Sequence, residues 1–206
     1  MPRRPSVVVS HREFIAQADR LRALAVHVPA FAADYQVLLA EMIAIQLFYF
    51  FESTVESIAA KLISGAHYAD GVVPVITQAA TSIDDALTNM RTVGRHKPKG
   101  ILKWNRASEI NGNVKYVMAT TENFCAACRN HAARINEVRI VRNHIAHNNA
   151  GTKREFESVV RRRLGAVPRR LPRPGAFVLR EFTPGTTLIV EYVVTLGAII
   201  RDVAKI

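Results

Sequence analysis

The chain has 206 residues, 49% of them apolar, which is enough for one well-buried domain and excludes intrinsic disorder. Its 28 lysines and arginines against 17 acids leave a formal charge of +11 and a pI near 10.3, a balance that favours a polyanionic partner such as nucleic acid or an anionic membrane face. Only two cysteines are present, close together as "CAAC" (Cys125, Cys128), which excludes a secreted disulfide scaffold.

From the N-terminus, "MPRRPSVVVSHREF" carries too short an apolar run for a signal peptide. Ser10 and Glu13 in "SHRE" have capping-box spacing and predict a helix over 10–26. Pro29 suits the first turn of a second helix reaching Ser64, with Gly65 as its stop. Within it, Leu38, Met42, Ile45, Tyr49 and Glu52 fall at steps of three and four, and Glu56, Ala59 and Ile63 continue the face. "MIAIQLFYFF" (42–51) is interrupted by Gln46, flanked by Glu41 and Glu52, and about half a bilayer span, so it reads as a core helix. "LIVEYVVTLGAII" (188–200) is also too short and carries Glu191. The expectation is a cytoplasmic protein that does not partner a membrane.

"DGVVP" (70–74) reads as a turn, followed by a helix to Met90 containing Asp84 and Asp85. "GRHKPKG" (94–100) is a basic loop and "WNRASEINGN" (104–113) a polar one. Trp104, beside Lys103 and Arg106, is read as a partly buried anchor, with base stacking as the alternative. A long helix is expected over 114–147, with a break near 120–121. Phe124, Cys128, His131, Ile135, Val138, Arg142 and Ile145 share one face of it, with His131 as a satisfied core or interface histidine. Cys125, Cys128 and His131 on one helix, with no second ligand pair, make a poor zinc site. A redox CxxC would need a preceding strand. Both cysteines therefore read as small core residues, and neither metal nor cofactor is called for.

After Asn148 the composition changes. "RRRLGAVPRRLPRPG" (161–175) holds six arginines and three prolines and is read as part of an irregular basic segment over 149–185. Arg161, Arg162, Arg163, Arg169 and Arg170, with Arg173, are either a solvated charge run or a track for RNA phosphates. "AFVLREF" (176–182) suits a short strand, and 186–206 returns to a helical pattern. The fold class is therefore all-α, an up-and-down bundle of about five helices with a basic insertion before the last. It is read as one domain over 1–206, with an N-terminal helix (1–28), core bundle (29–148), basic segment (149–185) and C-terminal helix (186–206).

"RIVRNHIAHNN" (139–149) concentrates polar chemistry at the end of the long helix. An arginine on an apolar face needs a partner or a wet cleft, and Glu52 and Glu56, which interrupt the second helix's face, are the intramolecular candidates for Arg142. Asn143 and His147 are surface neighbours, whereas Arg142 and His147 lie about 140° apart on an ideal helix. The latter two heads converge through arginine's reach, a loosened helix end or a second subunit. Arginine grips phosphate in two-point geometry, and histidine can take a proton from a 2′-hydroxyl or give one to a leaving oxygen. With no paired carboxylates nearby, metal-independent RNA cleavage is the natural chemistry; the bland account is a cation-rich helix C-terminus.

Arg142-Asn143-x-x-Ala146-His147 resembles the Arg-x4-His signature of the HEPN superfamily of small helical domains, and "IQLFYFFESTVESI" (45–58) resembles the second helix of its stand-alone members. The resemblance covers residues 30–150. It implies a helical bundle that dimerises with two motifs facing a shared cleft, and in many members a metal-independent endoribonuclease of toxin–antitoxin or antiphage systems yielding 2′,3′-cyclic phosphate ends. On this pattern Arg142 would bind the scissile phosphate, His147 would act as acid and base, Asn143 would position them, Glu52 would orient Arg142, and His144 would be a supporting neighbour. An antitoxin or defence-system partner is implied. Asn149 stands where one branch of the family has a tyrosine that a partner modifies, so that regulation is not expected. The competing reading is a non-catalytic HEPN module that binds nucleotide, RNA or a protein.

Overall fold

The computed structural model describes residues 5–206, and these are mostly helical. In chain order the helices are α1 (Val7–His27), α2 (Ala33–Ile63), α3 (Ile83–Thr92), α4 (Ala107–Val114), α5 (Asn123–Asn130), α6 (Ala132–His147), α7 (Ala150–Leu164), α8 (Pro174–Val178) and α9 (Leu188–Ala204). A hairpin of β1 (Glu181–Thr183) and β2 (Thr186–Thr187) precedes α9, its strands antiparallel with Glu181 opposite Thr187. The residues group into two compact units. One holds 5–15, 51–135 and 197–206; the other holds 16–50 and 136–196.

In the first unit, Phe14, Phe51, Ile58, Leu62, Met90, Ile110, Phe124 and Ile199 are fully buried. Ser10 is not a cap. Helix α1 begins a turn earlier because Val7 is itself buried, and the Ser10 hydroxyl inside the helix lies 2.9 Å from that of Ser57 and accepts from Lys61 Nζ at 2.6 Å. Gly65 ends α2 in the left-handed conformation, as expected, at φ +91°. Residues 72–80 are irregular instead of helical: Thr77 donates to Val117 O, Ala119 donates to Val75 O, and Ile76 bridges Met118. Helix α3 starts later, where Ser82 accepts the Asp85 N–H at 3.1 Å and two acids sit in the first turn. The segment expected as a polar loop contains α4. Arg95 of the basic loop ties the two helices together, donating to Met90 O, Gly112 O and Asn113 O at 2.8–3.0 Å. Trp104 is buried, 3% exposed.

The long helix expected over 114–147 is divided, at His131 and not only near 120–121. His131 is the C-cap of α5, half-buried, and pairs with Asp202 at 2.7 Å. It is satisfied, but by a surface carboxylate and not by the core. Cys125 and Cys128 are buried and unbridged. Burial pushes their thiols up, to about 11 and about 12. Among the described residues no group of three or more His, Cys, Asp or Glu side chains could hold a metal ion.

The second unit is organised around α6, where 137–141 are all buried, Glu137 and Arg139 included. Glu137 is 3% exposed and is surrounded by donors: Arg163 reaches Oε1 at 2.8 and 2.6 Å, Tyr192 Oη reaches it at 3.2 Å, and Arg162 reaches Oε2 at 3.2 Å. Arg163 also holds Glu191 at 3.0 Å. Arg139 pairs with Asn136 and Glu155 at 2.9 and 3.1 Å. Phe156, Phe177 and Phe182 meet edge to face.

The basic stretch departs from its expectation at its N-terminal side. Residues 150–164 are helical because Asn149 and Thr152 form a reciprocal capping box and nothing breaks the helix before Gly165, its C-cap at φ +76°. The prolines begin only at 168, so the irregular stretch is short and is interrupted by α8.

Helix α2 is 31 residues long, starting four residues later than the expected 29–64, and is the one described helix long and apolar enough, by length and composition, to cross a membrane; 39% of its apolar stretch is buried. Pro29 lies before it in a 3-10 turn. Leu38, Met42 and Tyr49, expected to pack, are 52–58% exposed, and Tyr35 extends the row at 62%.

Candidate functional site

Helix α6 emerges from its buried stretch at residue 142. The apolar face is sealed at Ile135 and Val138, then opens at half-buried Arg142 and Ile145. The Arg142 guanidinium donates to Asn143 Oδ1 at 3.1 Å and lies 6.0 Å from the centre of the Phe48 ring. Asn143 thus acts on the arginine directly. His147 is the last residue of α6 and is exposed. Glu52 and Glu56 are half-buried on α2 and fall in the first unit.

The helix ends sharply. Asn148 takes the left-handed conformation at φ +36°, as an asparagine at a C-terminus can, and Asn149 caps α7, accepting the Thr152 N–H at 3.0 Å. The motif's end is therefore locked to the start of the next helix by two consecutive asparagines.

His144, not His147, is the buried histidine of the motif, 5% exposed. Its ring stacks on Phe156 with centroids 4.9 Å apart, and Nδ1 lies 3.2 Å from the Thr152 hydroxyl. Burial, and then Lys153, hold its pKa below the usual histidine value, while Glu157 and Glu41 oppose that shift. His144 lines a cleft of about 550 Å³ with Glu41, Ile145, Asn148, Lys153 and residues 169–174. Just past the cleft's last lining residue, Pro174, the backbone approaches α2 closely. Gly175 donates to Glu41 Oε1 at 3.1 Å, and a Cβ at Gly175 would collide with the Val37 carbonyl oxygen.

No family model, curated protein or solved structure matches the chain. Its chemistry is read from its own side chains.

The arginines expected to form one track divide into two sets. Arg163 is committed to Glu137 and Glu191, and Arg162 also to Glu137, so these two hold the second unit together and Arg163 in particular is not offered to a ligand. Arg161 is exposed on α7; Arg169 and Arg170 are exposed and line the cleft with Arg173. Lys153, Glu41 and Thr152 were not recognisable as site residues from spacing, since Glu41 comes from α2 and the other two from α7, outside the motif's helix. A lysine three residues into a helix that starts just after the motif was the available signal.

Proposed function

We propose that the chain is a homodimeric, metal-independent endoribonuclease of the HEPN type, acting in toxin–antitoxin or antiphage defence. The observation that carries this reading is the end of α6, where Asn143 holds the half-buried Arg142 guanidinium at 3.1 Å and His147 stands exposed five residues later. An arginine oriented by a neighbouring amide is preorganised to grip a phosphate and to stabilise the charge that develops on it. His147 removes the proton from a 2′-hydroxyl, whose oxygen attacks the adjacent phosphorus; the 5′-oxygen leaves with a proton, and a 2′,3′-cyclic phosphate remains.

A second copy of the chain supports this chemistry by supplying the acid while the first supplies the base. The exposed apolar row of Tyr35, Leu38, Met42 and Tyr49, at steps of three, four and seven, is the kind of seam that another helix covers. Packed against its copy, it would complete a bundle of long helices.

The test uses purified protein, single-stranded RNA and excess chelator. Arg142→Ala and His147→Ala each abolish cleavage while leaving fold and oligomeric state intact, and parent products carry cyclic phosphate ends. Cleavage that survives both substitutions, or that stops with chelator alone, overturns the proposal. A second reading, a non-catalytic binding module, is favoured by the cation-lined cleft beside His144, which needs no catalysis to be useful. RNA retained but never cut by the parent selects it.

A further inference from the structure

We propose that the cleft beside His144 is a binding site for one phosphorylated nucleotide unit, distinct from the Arg142–His147 chemistry and independent of whether the chain cuts RNA. Four cations, Lys153, Arg169, Arg170 and Arg173, line one concave surface against a single carboxylate, Glu41. Among the described residues none of the four makes an ion pair, whereas Arg162, Arg163 and Arg139 of the same unit are all paired. Gly165 separates Arg162 and Arg163, which pair with Glu137 and Glu191, from Arg169, Arg170 and Arg173, which line the cleft. Clustered uncompensated charge in a concavity raises the local concentration of anions, and guanidinium forks match phosphate oxygens.

Glu41 offsets one of these four charges and leaves the cleft net cationic. One of its oxygens is already engaged by the Gly175 N–H, where it fixes the loop that carries the arginines. The size of the cleft points beyond bare phosphate. About 550 Å³ lies in the range of small-molecule sites, and Ile145, Leu171, Pro172 and Pro174 give an apolar wall for sugar and base. The site is also built in advance. Two prolines restrict the loop, Gly175 abuts Val37, and His144 is stacked and hydrogen-bonded, so little order has to be acquired on binding.

The full-length protein is titrated calorimetrically with AMP, adenosine, an acidic peptide of matched charge and a short single-stranded oligoadenylate. AMP is expected to bind, adenosine and the peptide not to, and Arg170→Ala or Arg173→Ala to weaken AMP by about tenfold or more. Both side chains are exposed, so the variants should keep the parent's melting profile. His147→Ala binds AMP as the parent does, which separates this site from the proposed nuclease centre. Oligonucleotide binding that the arginine variants weaken, without competition by AMP, also supports the site and identifies a strand as the source of the nucleotide. Equal binding of adenosine or the acidic peptide, affinity indifferent to both arginines, or no binding of either AMP or oligonucleotide overturns it.

Discussion

Glu137 joins three side chains of the second unit, and replacing it with alanine has a calculable consequence. The carboxylate is 3% exposed and takes hydrogen bonds from Arg163, Arg162 and Tyr192. Its removal strands the Arg163 guanidinium, 16% exposed, with only Glu191 as ion partner, and leaves the Tyr192 hydroxyl without that acceptor. Breaking a buried pair from one side costs about 3–5 kcal/mol. For a chain of this length that corresponds to roughly 6–20 °C in Tm. Arg162 adds little, because it is 52% exposed and water replaces its partner. The assay is urea unfolding followed by far-ultraviolet circular dichroism, together with a thermal melt. Glu137→Ala should lower the midpoint with an unchanged m value. The stranded charge is separable from the lost contact: a Glu137→Met/Arg163→Met double variant removes both buried charges, leaves Glu191 with the Thr183 hydroxyl, and should recover part of the loss. Destabilisation under about 1 kcal/mol, or a double variant no better than the single, would refute this account of the network.

Two further outcomes follow from burial. With the Cys125 and Cys128 thiols pushed up to about 11 and about 12, neither should react with a disulfide reagent at pH 8 until denaturant is added, when both should react; a fast thiol in the native protein contradicts their packing. His144 titrates below its unfolded value, so the unfolded chain takes up a proton first as the pH falls. Stability present above about pH 6.5 is then lost on acidification and levels off below the folded pKa. His11 is shifted the same way and stays in the background of both proteins, so His144→Gln should show a shallower loss between pH 7 and 5 than the parent; identical slopes would show that His144 contributes nothing.

The helical class was legible wherever apolar residues recur at three and four, as in α2 and α9. It was least legible where tertiary partners decide. Nothing local shows that Ser10 will serve Ser57 and Lys61 instead of capping a helix, or that Arg95 will hold the ends of two helices. The proline-rich half of the arginine tract obscured its helical half, although Gly165 marked the border in plain view. At the candidate site, the ring of α6 that proved enclosed was His144, because burial there depends on Phe156 and Thr152 from α7, a helix the composition had concealed. The paired state of Arg163 depends on Glu137, 26 positions earlier, and no short-range pattern carries that information.

Thr152 has one further consequence. Its hydroxyl oxygen accepts the Asn149 N–H at 3.1 Å, while its lone hydrogen has two acceptors in reach, the Asn149 carbonyl at 3.1 Å and His144 Nδ1 at 3.2 Å. If the rotor points to the carbonyl, the His144–Thr152 hydrogen bond is kept only by the tautomer with its hydrogen on Nδ1, which presents Nε2 as a lone pair. If it swings to the imidazole, Nε2 becomes the N–H. The opening turn of one helix and the tautomer of a neighbouring ring are thus wired through a single hydrogen.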